Sequence, residues 1–190
     1  TTNFRAIATC LLAYICFDLM SVHVRLLSSN YSPQELSVYR NVIGVLPAIF
    51  YMWYSKELSL KISDYKIEKW KLGILRGLII AVAQLCFYTA LANLELATVS
   101  ALGQVSALFI VLLAIFLYKE KVGFWRWTAV IVGFLGATMI MKPGTDIFSW
   151  YSILPICAAF CYASSIVTLR SFKSSVSSAI LFLYSATSAA

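Results

Sequence analysis

The chain has 190 residues, of which 61% are hydrophobic and 12% charged, with a formal net charge of +7 and a mean hydropathy of +0.84. A water-soluble domain carries about 25% charged residues to cover its surface, so these values argue against a soluble helical bundle. The basic residues do not gather into a surface that could read nucleic acid. They lie in short loops between apolar runs, the pattern of a polytopic membrane protein.

Several of those runs reach the length needed to cross a hydrocarbon core of roughly 30 Å. A first helix is expected over 5–27. Arg5 precedes it, as in a signal peptide, but the run continues past Asp18 to Leu27 and offers no small-residue cleavage site. Further helices are expected over 33–55, 72–93, 97–118, 123–141 and 149–170, and a seventh starts near 176. The expected fold class is therefore all-α: a polytopic membrane helix bundle of about six complete transmembrane helices plus the start of a seventh. Because the sequence opens on Thr1 and closes on SATSAA within an apolar run, an N-terminal fragment of a longer protein is expected.

The loops alternate in charge. Lys56, Lys61, Lys66, Lys69 and Lys71 share one side with Lys119, Lys121, Arg126, Arg170 and Lys173, whereas the other side holds only Arg25 and Lys142. The positive-inside rule then puts the amino terminus in the cytoplasm. The segment ELSLKISDYKIEKWK, residues 57–71, alternates apolar side chains with lysines and reads as a connector lying on anionic lipid.

Residues 11–40 align without gaps on residues 156–185, with identities that include Ala13/Ala158, Cys16/Cys161, Val22/Val167, Arg25/Arg170 and Tyr39/Tyr184. The first helix then corresponds to the sixth, the repeat unit has an odd number of helices, and the second copy must be inverted in the membrane. Inverted repeats characterise secondary transporters, whose halves rock about a central site. On this reading residues 1–145 form the first repeat and 146–190 the truncated start of the second.

The stretch ALFIVLLAIFLYKEKVGFWRWTAVIVGFLGATMIMKPG, residues 107–144, resembles the end of the first repeat of the EamA-like drug/metabolite transporter family. Glu120 stands at that family's acidic residue, Trp127 at its tryptophan, and Gly133 and Gly136 at its glycines. QELSVYRN resembles the family's second helix, with Arg40 at its arginine, and FYTALANLELATVSAL resembles its hairpin between the third and fourth helices. The resemblance implies ten helices in two inverted halves that move a small organic solute, such as an amino acid, a drug or S-adenosylmethionine, without ATP. The family often carries a proline early in its fourth helix where this chain has Ala107, so a kink there is not assured.

At 1.5 Å per helical residue, Arg40 lies roughly 10 Å below the outer interface, Asp18 roughly 14 Å, and Gln84 and Gln104 at about 10–14 Å. Four polar side chains on four helices thus share one layer. Intramembrane charges face the bundle interior or a wet cavity, and pair, which makes Asp18 and Arg40 a candidate ion pair beside a cavity lined by Gln84 and Gln104. Direct contact of Arg40 with substrate, or its snorkelling to the headgroups, are the alternatives. Tyr14, Tyr39, Phe87, Tyr88, Trp150 and Tyr162 could line a site for planar or cationic solutes, with Tyr39 and Tyr162 foremost.

His23 reads as an interface residue and Glu120 as a partner of the surrounding lysines. Cys10, Cys16, Cys86, Cys157 and Cys161 all fall in apolar segments and read as packing residues. No catalytic triad, metal-ligand spacing or phosphate-binding GxxxxGK[ST] loop is present. No enzyme, cofactor or metal is expected. The partners expected are the lipid bilayer and a small-molecule substrate, with a homodimer left open and nucleic acid not implied. The leading reading is a secondary transporter of the bacterial inner membrane; a non-transporting scaffold or a small channel are the alternatives.

Overall fold

A computed structural model of the chain describes residues 2–54, 70–119, 123–141 and 149–169. Among the described residues every element is helical. α1 spans Thr2–Leu27, α2 Pro33–Tyr54, α3 Trp70–Asn93, α4 Leu96–Gly103, α5 Val105–Tyr118, α6 Phe124–Met141 and α7 Ile153–Leu169, the last preceded by a 3-10 turn at Trp150–Ser152. The expected helix boundaries agree with these to within a few residues. The expected lipid-lying connector falls largely outside the described residues, as do Glu120, Arg170 and the expected seventh helix.

Among the described residues five segments are long and apolar enough to cross a membrane: Ile7–Leu27, Trp70–Asn93, Leu96–Tyr118, Phe124–Met141 and Trp150–Leu169. α2 is equally long but is not among them. Its Gln34, Glu35, Arg40 and Asn41 lower the mean hydropathy of its first half, which accounts for the difference from the six spans expected. The fold is an all-helical membrane bundle.

Local chemistry explains several boundaries. α2 starts with the sequence SPQE. The Ser32 backbone N–H donates to Glu35 Oε2 at 2.9 Å, and the Glu35 N–H donates to Ser32 Oγ at 3.3 Å, a reciprocal capping box with proline at the first helical position. α5 ends where Lys119 takes a left-handed conformation, φ 51°, which turns the chain toward α6.

α7 is the packing centre and lies mainly against α3 and α5. Small residues on both sides let the backbones approach: Gly73, Gly77, Ala83 and Ala90 are buried on α3, and Ala158, Ala159 and Ala163 on α7. The two helices are also tied at one end, where Arg76 Nε donates to the Ser165 carbonyl at 3.2 Å. At the opposite end of α3, an Arg25 guanidinium N–H donates to the Leu91 carbonyl. The Leu91 carbonyl lies in the last turn of α3, where hydrogen-bond acceptors are left over. α1 and α6 expose long apolar side chains such as Leu11, Ile15, Val132 and Met139, as lipid-facing or helix-facing surfaces do.

Candidate functional site

A cavity of about 340 Å³ opens among α1, α3, α7 and the junction of α4 with α5. α1 contributes Ala13, Tyr14, Phe17 and Asp18, which the helical spacing gathers on one face. α7 contributes Pro155, Ala159, Tyr162 and Ile166, a stripe repeating every three or four residues. Phe87 of α3 closes the back.

The fourth wall is the break between α4 and α5. The apolar span runs without interruption over Leu96–Tyr118, yet the helix is broken at Gln104. The Gln104 N–H is shared between the carbonyls of Ser100 and Ala101, at 3.3 Å each, and the Ala107 N–H donates to the Gln104 carbonyl at 3.1 Å. The bond to Ser100 is the regular i to i+4 one, whereas those joining Gln104 to Ala101 and Ala107 to Gln104 are i to i+3 and tighten the helix locally. No proline is involved; the break lies three residues before Ala107, the place where a proline would have been expected. Ser100, Gly103, Gln104 and Ser106 all line the cavity. Gly103 lies beneath Phe87, whose Cε2 would stand 3.7 Å from a Cβ placed there.

Beside the cavity lies a buried polar cluster. Ser37 donates to Gln84 Oε1 at 3.0 Å, with both residues buried, and Asn41 is buried one turn further along α2. Arg40, half-buried, comes within hydrogen-bonding reach of the Tyr88 and Tyr162 hydroxyls. A guanidinium can only donate, so both hydroxyl oxygens act as acceptors. The Tyr88 hydroxyl in turn reaches Met20 Sδ at 4.0 Å. Tyr162 belongs to both assemblies: it lines the cavity and meets Arg40.

The residues singled out from the sequence therefore separate into three groups. Asp18, Gln104 and Tyr162 come together in the cavity wall. Arg40 and Gln84 lie in the polar cluster behind it, where Gln84 is occupied by Ser37. Tyr39 does neither: it is exposed and stacks edge-on with Tyr31 at 6.5 Å between ring centroids. Among the described residues no ion pair joins Asp18 to Arg40; the arginine turns to neutral hydroxyls instead. Trp127 is partly exposed on α6. Gly133 packs α6 against Leu108, whereas Gly136 faces open space. Phe17, Ser100 and Ser106 were not anticipated as lining residues. Phe17 adjoins Asp18, and both serines lie a few residues from Gln104, so helical spacing around those two polar residues is the signal that finds them. Among the described residues no group of three or more histidine, cysteine, aspartate or glutamate side chains could hold a metal ion.

Comparison with known proteins gives a consistent picture. The family model described as "EamA-like transporter family" matches residues 4–142. An "Uncharacterized transporter" of Helicobacter pylori (strain J99) is 27% identical over 86% of this chain and 54% of its own length. The "Pseudopaline exporter CntI" of Pseudomonas aeruginosa is 26% identical over 84% of this chain and 54% of its own. The "S-adenosylmethionine uptake transporter" of Rickettsia prowazekii is 26% identical over 97% of this chain and 61% of its own. The chain thus spans little more than half the length of these relatives. No solved structure matches it significantly. With its apolar spans and this match over most of its length, the chain is an integral, multi-pass membrane protein that belongs to the EamA-like transporter family.

Proposed function

We propose that the protein is a secondary carrier that binds a small organic solute in this cavity and exposes it by turns to the two sides of the inner membrane, with the amino terminus in the cytoplasm. The observation that carries the proposal is the cavity itself. Its volume of about 340 Å³ lies within the range of roughly 300–1,000 Å³ for small-molecule sites, and its lining of apolar and aromatic residues with a few polar groups is of the kind such sites show. It lies well inside the helices, beside the local irregularity at Gln104.

The internal repeat supports the same reading. The alignment of residues 11–40 with 156–185 pairs Tyr14 with Ala159 and Phe17 with Tyr162, and all four line the cavity. If residues 1–145 are one half and residue 146 begins the other, the cavity lies where the halves meet. The relatives named for uptake of S-adenosylmethionine and export of pseudopaline are both carriers of small organic solutes, in opposite directions.

Uptake of radiolabelled S-adenosylmethionine and a panel of other metabolites into proteoliposomes holding the full-length protein tests the proposal. Saturable uptake of at least one solute, inhibited by its unlabelled form, is expected. Flux that rises linearly with concentration indicates a channel. Absence of both flux and saturable ligand stabilisation indicates a scaffold and overturns the proposal.

A further inference from the structure

Asp18 is the one carboxylate in the cavity wall, and no lysine, arginine or histidine lines that wall among the described residues. Among the described residues it makes neither a hydrogen bond nor an ion pair. An unpaired carboxylate on a membrane helix is expensive to keep, and such residues mark ligand or ion pathways. Arg40 does not line the cavity; it lies within reach of the Tyr88 and Tyr162 hydroxyls.

Four aromatic residues share the wall with small, aliphatic and uncharged polar ones. Phe17 and Phe87 lie 5.9 Å apart between centroids, and Tyr14 and Tyr162 line the same space. Aromatic faces carry the negative part of the ring quadrupole and attract cations. One carboxylate and several ring faces together favour positive charge and disfavour negative charge. A neutral flat solute would gain stacking but leave Asp18 unpaired.

On the reading that this cavity holds the transported solute, we infer that its substrate class is organic cations bearing a flat unsaturated group, with Asp18 supplying the counter-charge and Phe17, Phe87 and Tyr162 the faces on which the cation lies. Gln104 and Ser106, at the helix break, are placed to hydrogen-bond the polar edge of such a solute.

The test uses the purified full-length protein and three flat probes of nearly one shape: N-methylquinolinium, quinoline (uncharged at neutral pH) and quinoline-2-carboxylate. Saturable thermal stabilisation is measured for each. N-methylquinolinium is expected to half-saturate at a concentration lower than quinoline by on the order of tenfold or more, the scale of one hydrogen bond to a charged group, with the carboxylate weakest. Asp18→Asn should bring N-methylquinolinium to the level of quinoline, while Asp18→Glu should keep the preference. The ranking in the parent protein needs no variant, so a variant that fails to fold does not blunt the test. Equal binding of N-methylquinolinium and quinoline in the parent, or a preference unchanged in Asp18→Asn, overturns the inference and leaves the solute-cavity reading intact. No saturable stabilisation by any of the three also overturns the inference, whereas the solute-cavity reading falls only if the metabolite panel gives neither saturable uptake nor saturable stabilisation.

Discussion

The Tyr162 hydroxyl on α7 stands within hydrogen-bonding reach of the Arg40 guanidinium on α2. Through this contact a half-buried charge is brought to neutral hydroxyls from two other helices. The same tyrosine forms part of the cavity wall, so the support of Arg40 and the shape of the cavity are coupled.

Replacing the arginine tests that coupling. Arg40→Met removes the donor shared by Tyr88 and Tyr162, and hydrogen bonds to a charged group are worth about 1.5–3 kcal/mol. A loss of about 2–3 kcal/mol is expected, read as a lower midpoint in detergent unfolding. In a background already carrying Tyr88→Phe and Tyr162→Phe the same substitution should cost clearly less. Strict additivity would show that Arg40 is held by something else. Arg40→Lys should restore only part of the stability, since a single ammonium cannot span two acceptors as the planar fork does.

The Ser37–Gln84 contact predicts a smaller, local effect. Ser37→Ala leaves the buried Gln84 Oε1 without its donor, at a cost of about 1–2 kcal/mol. Gln84→Leu in the Ser37→Ala background should recover most of that, because an apolar pair leaves no orphaned polar atom. A double variant no more stable than Ser37→Ala alone would contradict the assignment.

α6 offers a matched pair of substitutions. At Gly133 an added Cβ would meet Leu108 Cδ1 at 2.6 Å, whereas at Gly136 it would meet nothing within 4 Å. Gly133→Ala is expected to destabilise by about 1–2 kcal/mol, as overpacking does. Gly136→Ala should be neutral or stabilising by up to about 1 kcal/mol, the helix-propensity gain. Because the obstructing atom is the end of a flexible side chain, Leu108→Ala should relieve the Gly133→Ala defect. Equal unfolding midpoints for the two single variants would be the contrary result.

The sequence and the structure agree best where short-range physics decides. Apolar run length places the helices, and the reciprocal cap of Ser32 and Glu35 found in the structure fixes the start of α2. Counting residues along a helix gives Asp18, Arg40, Gln84 and Gln104 a common expected depth. Depth leaves rotation about each helix axis undetermined, and rotation decides partners. Arg40 was matched to Asp18 as the opposite charge at its level, but its contacts come from Tyr88 and Tyr162, which packing of α3 and α7 brings round to it. Tyr39, adjacent to Arg40 in sequence, points away for the same reason: successive residues on a helix lie about 100° apart. The break at Gln104 escaped sequence reasoning because its usual sign, a proline, is absent. It rests instead on a change of hydrogen-bond pattern within a continuously apolar run.

The central claim is that the cavity among α1, α3, the α4–α5 junction and α7 is where the solute binds. Concentration-dependent uptake into proteoliposomes, compared for the full-length protein, Gln104→Ala and Tyr39→Ala, tests it most directly. Gln104 lines the cavity and Tyr39 is exposed outside it. The half-saturating concentration should rise about tenfold in Gln104→Ala, the effect of one lost hydrogen bond of about 1–1.5 kcal/mol, and stay unchanged in Tyr39→Ala. A half-saturating concentration altered by Tyr39→Ala but not by Gln104→Ala would contradict the account and move the site to the other face of the bundle.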